Sequence, residues 1–169
     1  MFCKTMNLSE ILNSISCAVE RMSIPVGPQP TAGQKTELQK LLVEEFELRL
    51  NTLEASEEYR LGAEICGNRD RCDVYVKTSE YQIILEIDAT RADQVAKKML
   101  SRYFYANKIA ESKPTVYICL LYPGTDSMNP NECVKYMNMG QELLLAMNPA
   151  NRFISGFIKA RTVEWKNIG

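Results

Sequence analysis

Ile83-Ile84-Leu85-Glu86-Ile87-Asp88, continued without a break by Ala89-Thr90-Arg91-Ala92-Asp93-Gln94-Val95-Ala96-Lys97-Lys98, is the stretch on which the fold turns. Its first half is an apolar run of strand length, and its second half has the composition and spacing of a helix. Side chains alternate across a strand, so Ile84, Glu86 and Asp88 share one face and Ile83, Leu85 and Ile87 the other. Two carboxylates on a mostly buried strand are costly unless a cation or hydrogen bonds compensate them. The helix that follows at once is loaded with Arg, Gln and Lys. Acids at a strand end facing a basic helix mark the first candidate site, and their cost points to a metal.

Upstream, Leu8, Ile11, Leu12, Ile15, Val19 and Met22 recur at helical spacing behind Asn7 and Ser9, which suit an N-cap. Ile24 to Pro30 carries three prolines and breaks that helix. A second helix is predicted from about Ala32 to Leu53, then a first strand from Tyr59 to Cys66 and a turn at Gly67-Asn68-Arg69-Asp70. Cys72 to Lys77 reads as a second strand and Tyr81 to Asp88 as a third. Downstream come a helix from Arg91 to Lys108 and the continuous apolar run Val116 to Tyr122, the pattern of a strand buried on both faces. A helix from Glu132 to Met147 and a last strand from Phe153 to Val163 complete the chain. Residues 1–30 read as an N-terminal helix and Pro-rich linker, and 31–169 as one α/β domain opening with an antiparallel meander.

Bulk properties prune the chemistry. The chain has 169 residues, a formal net charge of −1 and no histidine. A protein holding nucleic acid by bulk electrostatics is usually basic, so any such binding must come from a local patch. His-based triads, His general bases and His-containing zinc sites are excluded. Six cysteines with no CxxC pair, no signal peptide and no long apolar span predict a cytoplasmic protein with reduced thiols and no membrane segment.

The remaining acids fall into an array. Asp73 lies early on the second strand and converges with Glu86 if the two strands form a hairpin pair. On the second helix, Leu38, Leu41, Leu42, Phe46 and Leu53 define an apolar arc with Glu45 near its middle. From Gln34 to Tyr122, this order and these residues resemble the PD-(D/E)XK, or restriction-endonuclease-like, nuclease superfamily. The resemblance implies an αβββαβ core with a mixed sheet flanked by helices. It implies Mg²⁺ (or Mn²⁺) held by Asp73 and Glu86, with Glu45 as the helix acid, and hydrolysis of DNA phosphodiesters. It also places Gln94 and Lys98 of the following helix toward phosphates, and Arg91 and Arg102 lie on the same flank, where phosphate contact is the alternative to a solvated face.

Where that family has its active-site Lys, this chain has Asp88. One route keeps activity: Asp88 becomes a further metal ligand and a helix cation, Lys98 first, reaches into the site. The other leaves a catalytically inactive nuclease-like module that binds nucleic acid or a protein. A third possibility reduces the acids to local chemistry. Glu86 would cap the next helix, Asp88 would be a cap or turn residue, Asp73 would pair with Arg69 or Arg71, and Glu45 with Arg49. The basic residues would then be a solvated face. Tyr103 continues an apolar stripe with Ala92, Val95, Met99 and Ala106, which predicts core packing over base stacking. With no added DNA-reading module, specificity would be low, or would come from a homodimer or a partner.

Overall fold

A computed structural model describes residues 6–61, 70–109, 113–125 and 128–169. The described elements run α1 (Leu8–Glu20), α2 (Ala32–Arg49), β1 (Thr52–Arg60), β2 (Arg71–Thr78), β3 (Gln82–Ala89), α3 (Ala92–Ile109), β4 (Thr115–Tyr122), α4 (Pro130–Met147), β5 (Arg152–Lys159) and β6 (Thr162–Ile168). The six strands form one sheet in sequence order. β1, β2 and β3 are antiparallel, β3, β4 and β5 are parallel, and β6 returns antiparallel to β5. The fold is therefore α/β, a six-stranded mixed sheet flanked by four helices.

Strand alternation explains how one sheet serves two cores. Ile83, Leu85 and Ile87 of β3 pack with Ile11, Ile15 and Val19 of α1 and Leu38, Leu42 and Phe46 of α2. Ile84 faces the other way, with Val95, Met99 and Tyr103 of α3 and Met137 and Leu144 of α4. β4 is buried along its length up to Tyr122, as its unbroken apolar run predicts. Tyr103 is a core residue, its ring edge-on to Tyr117 with centroids 5.2 Å apart. Asn7 caps α1 through its side chain, and Thr31 and Gln34 close a reciprocal capping box on α2. α1 belongs to the same core as the sheet.

Three boundaries differ from the sequence expectation. α2 ends at Arg49, and Leu50 is already extended, so Leu53 lies in β1 and is solvent-exposed. Of the strand expected at Tyr59 to Cys66, only Tyr59 and Arg60 belong to β1; residues 62–69, with most of the expected turn, lie outside the described residues. The segment from Thr52 to Arg60 is rich in Glu and lacks strand periodicity. Pairing with β2 along its length, Thr52 with Thr78 through to Arg60 with Arg71, overrides that weak local preference. The last predicted strand is a hairpin: β5 turns at Ala160, which has a φ of 55°, into β6.

Candidate active site

β2 and β3 pair from Lys77 with Gln82 to Val74 with Leu85, and there the ladder stops. Beyond it the Asp73 carboxylate takes over from the backbone: its Oδ2 accepts from the Ile87 amide at 2.6 Å. Asp73, Glu86 and Asp88 thus lie on the ends of β2 and β3 beyond the last paired residues. From the other side Gln39 of α2 closes on the same acid. Its Nε2 donates to Asp73 Oδ1 at 2.9 Å and to Glu58 Oε1 of β1 at 2.8 Å. Asp73 does not pair with Arg71, and Arg69 lies outside the described residues.

Glu86 is 2% exposed. It is held between two cations of α3, with Arg102 Nε at 2.5 Å from Oε1 and Lys98 Nζ at 3.3 Å from Oε2. Lys98 also reaches Asp88 Oδ2 at 2.5 Å. The spacing of Lys98 and Arg102, one helical turn apart, puts both on the flank of α3 that faces the ends of β2 and β3. Arg102 reaches further, donating to the Arg71 carbonyl at 2.7 Å and lying 3.6 Å from Asp70 Oδ2.

With Asp70, four carboxylates thus meet two cations, and the imbalance shows in their protonation. Burial, reinforced by the neighbouring Asp73, pushes the Glu86 carboxyl up to about 7 against the pull of Arg102 and Lys98. Burial also raises Asp73, although the Ile87 amide, Lys35 and Lys98 oppose it. Burial alone would lower Lys98, but Glu86 and Asp88 outweigh it and hold the ammonium charged. The Cys72 and Cys119 thiols are pushed up by burial, so neither is a nucleophile.

Two sequence expectations are corrected. Glu45 is not part of this array. It is buried, as its place on the apolar arc predicts, but its carboxylate is taken by Arg49 and by Arg21 Nη1 of α1 at 2.5 Å. Arg102 does not present itself to phosphates; it is 5% exposed and bound to Glu86. Arg91 and Gln94 do face solvent, where both bond to Asp93. Glu86 and Asp88 are not simple caps, since both close on Lys98.

Gln39 was not foreseen, although its signal was the one that singled out Glu45, a polar residue on the buried face of α2. Two polar residues share that face and serve different neighbours. Glu45 meets α1, where Ser14 Oγ bonds its carbonyl at 3.3 Å, and Gln39 meets the sheet.

The donor set is all carboxylate oxygen, the kind that hard cations take. Each oxygen of Asp73 and Glu86 has one partner and a second lone pair. Among the described residues no three acidic or cysteine side chains gather into a metal cage. Mg²⁺ does not require one, being commonly held by one or two carboxylates with water and substrate phosphate. Asp73 and Glu86 are the carboxylates that could serve such an ion, and Lys98 already engages Asp88.

No protein-family model and no curated protein matches the chain. Among solved structures, SfsA from Pyrococcus furiosus in complex with Ca²⁺ is similar in part, at 15% identity and a TM-score of 0.37, over 78% of this chain and 63% of that one. A likeness at that level defines neither fold family nor chemistry. No described helix is long and apolar enough to cross a membrane.

Proposed function

We propose that the chain is a restriction-endonuclease-like hydrolase of DNA phosphodiesters with a variant site. In this reading Asp73 and Glu86 hold Mg²⁺ or Mn²⁺, and Lys98 replaces the Lys absent from the strand. The observation that carries it is the seat of Lys98. Its ammonium projects from α3 to lie against both Glu86 and Asp88, beside the strand position where Asp88 stands in place of Lys.

An ion at Asp73 and Glu86 would polarise a phosphoryl oxygen and lower the pKa of a bound water. The protein's own groups do the rest. Gln39 and the Ile87 amide fix the two oxygens of Asp73, so that carboxylate is oriented before any substrate arrives. Arg102 holds Glu86 from its buried side and leaves the Lys98 side toward solvent, where Lys98 remains 27% exposed. Lys98 carries the positive charge that would stabilise the developing negative charge on phosphoryl oxygens.

Cleavage of plasmid and single-stranded DNA with Mg²⁺ or Mn²⁺, run beside Asp73→Ala and Glu86→Ala purified identically, tests this. Metal-dependent cutting lost in both variants supports it. The second reading, an inactive module binding nucleic acid or protein, draws on the same ion pairs, because Lys98 and Arg102 already neutralise much of Glu86. DNA binding without metal-dependent cutting would favour it.

A further inference from the structure

Two cations of α3, Lys98 and Arg102, are already committed. Lys98 is shared by Glu86 and Asp88, and Arg102 is bound to Glu86 and to the Arg71 carbonyl. A phosphodiester approaching Asp73 would find those two cations already bound to Glu86 and Asp88. α2, packed on the other face of the sheet from α3, reaches Asp73 as well. There Gln39 is anchored on Asp73 Oδ1 at 2.9 Å, and Lys35 lies one turn earlier on the same face. Lys35 is half-buried, and its ammonium makes no ion pair or hydrogen bond among the described residues. Its charge is felt at Asp73, where it opposes the effect of burial.

We propose that Lys35 is a phosphate-binding residue of the site, presented by the face of α2 that also carries Gln39 to Asp73. This rests on the site being one for phosphodiesters. The geometry gives each cation a separate task. Arg102 neutralises Glu86, Lys98 serves the phosphoryl group beside the acids, and Lys35, with no ion-pair or hydrogen-bond partner among the described residues, can meet a further phosphate. Lys40 supplies an internal contrast: it is exposed and projects from another face of the same helix.

The test is the salt dependence of binding, read by fluorescence anisotropy with labelled duplex and single-stranded oligonucleotides. Ca²⁺ at fixed concentration replaces Mg²⁺ to suppress turnover, and KCl is varied. One lost phosphate contact reduces the slope of log K against log salt by about 0.9 for duplex and about 0.7 for a single strand. Lys35→Ala is expected to show that loss and weaker binding, Lys35→Arg to restore the slope, and Lys40→Ala to match wild type. A merely structural role for Lys35 would shift thermal stability without changing the slope. Wild-type binding with an unchanged slope in Lys35→Ala would overturn this assignment and leave the proposed hydrolase standing. A wild-type protein that neither binds nor cuts either substrate would remove both.

Discussion

Glu45 and Glu86 are the same residue type, buried to the same degree at 3% and 2% exposure, and each is clasped by two cations. They differ in company. Glu45 lies between α1 and α2 with Arg21 and Arg49, and Glu44 is exposed on the Arg21 guanidinium. Its charges close on themselves, and the pair of arginines ties one helix to the next. Glu86 stands with Asp73 and Asp88 at the ends of β2 and β3, and with Asp70 on Arg102 they make four acids against Lys98 and Arg102. One cluster is balanced and complete. The other retains negative charge and opens to solvent through Asp88 and Lys98. Burial of an acid therefore says little about function until its neighbours are counted.

The largest effect is expected from exchanging charge for neutrality at each glutamate. Glu86→Gln is expected to abolish metal-dependent cleavage. It also removes the main partner of buried Arg102 together with the burial cost of a charged Glu86, so its effect on stability is expected to depend on pH. Glu45→Gln is expected to leave cleavage per folded molecule unchanged. Its cost in stability is limited, because Arg21 and Arg49 are 48% and 25% exposed and can turn to water. Urea denaturation and cleavage measured on the same preparations decide it. Equal loss of activity in both variants would erase the distinction between the clusters.

Lys98→Ala comes next. If the ammonium stabilises charge on the phosphoryl group, turnover should fall by about 10²–10³. Lys98→Arg should recover part of it, since the charge is kept but the compact geometry is not. Single-turnover kinetics at saturating DNA read this directly. The matching change on the other side, Arg49→Ala, is expected to lower stability only. A Lys98→Ala protein that cuts as fast as wild type would reduce Lys98 to the structural role that Arg49 plays for Glu45.

The sequence displayed Glu86, Asp88 and Lys98 because each is tied to strong local patterning: an apolar strand, an immediate helix and fixed spacing along both. β4 and α3 were legible for the same reason, their periodicity being unambiguous. The Glu45–Arg49 pair was legible as one of two alternatives, since i,i+4 spacing is local, but Arg21 lies 24 residues away and only packing brings it in. Gln39 escaped because its partners, Asp73 and Glu58, are 34 and 19 residues distant. β1 escaped because it is an edge strand whose Glu-rich sequence owes its conformation to β2. Arg102 looked like a member of a solvated basic flank. Its burial goes with its contacts to Glu86 of β3 and the Arg71 carbonyl of β2, a tertiary arrangement with no local signature.

The smallest effect is the one that titration should show. A Glu86 carboxyl at about 7 loses roughly nine-tenths of its charge one pH unit lower, so kcat/KM for cleavage should be about tenfold lower at pH 6 than at pH 8. Because kcat/KM reports the free enzyme, subsaturating substrate and metal expose the acidic limb. Stability should run the other way. The native state binds the Glu86 proton more tightly than the unfolded chain, whose glutamate titrates near 4.5, so this group's contribution falls as pH rises from about 4.5 to about 7. Asp73, also raised by burial, adds to the same trend at lower pH. Denaturation of wild type and Glu86→Gln across that window isolates the term, since the difference between the two should itself depend on pH. A flat difference, with an activity profile lacking an acidic limb near 7, would mean that Lys98 and Arg102 balance Glu86 as fully as two arginines balance Glu45.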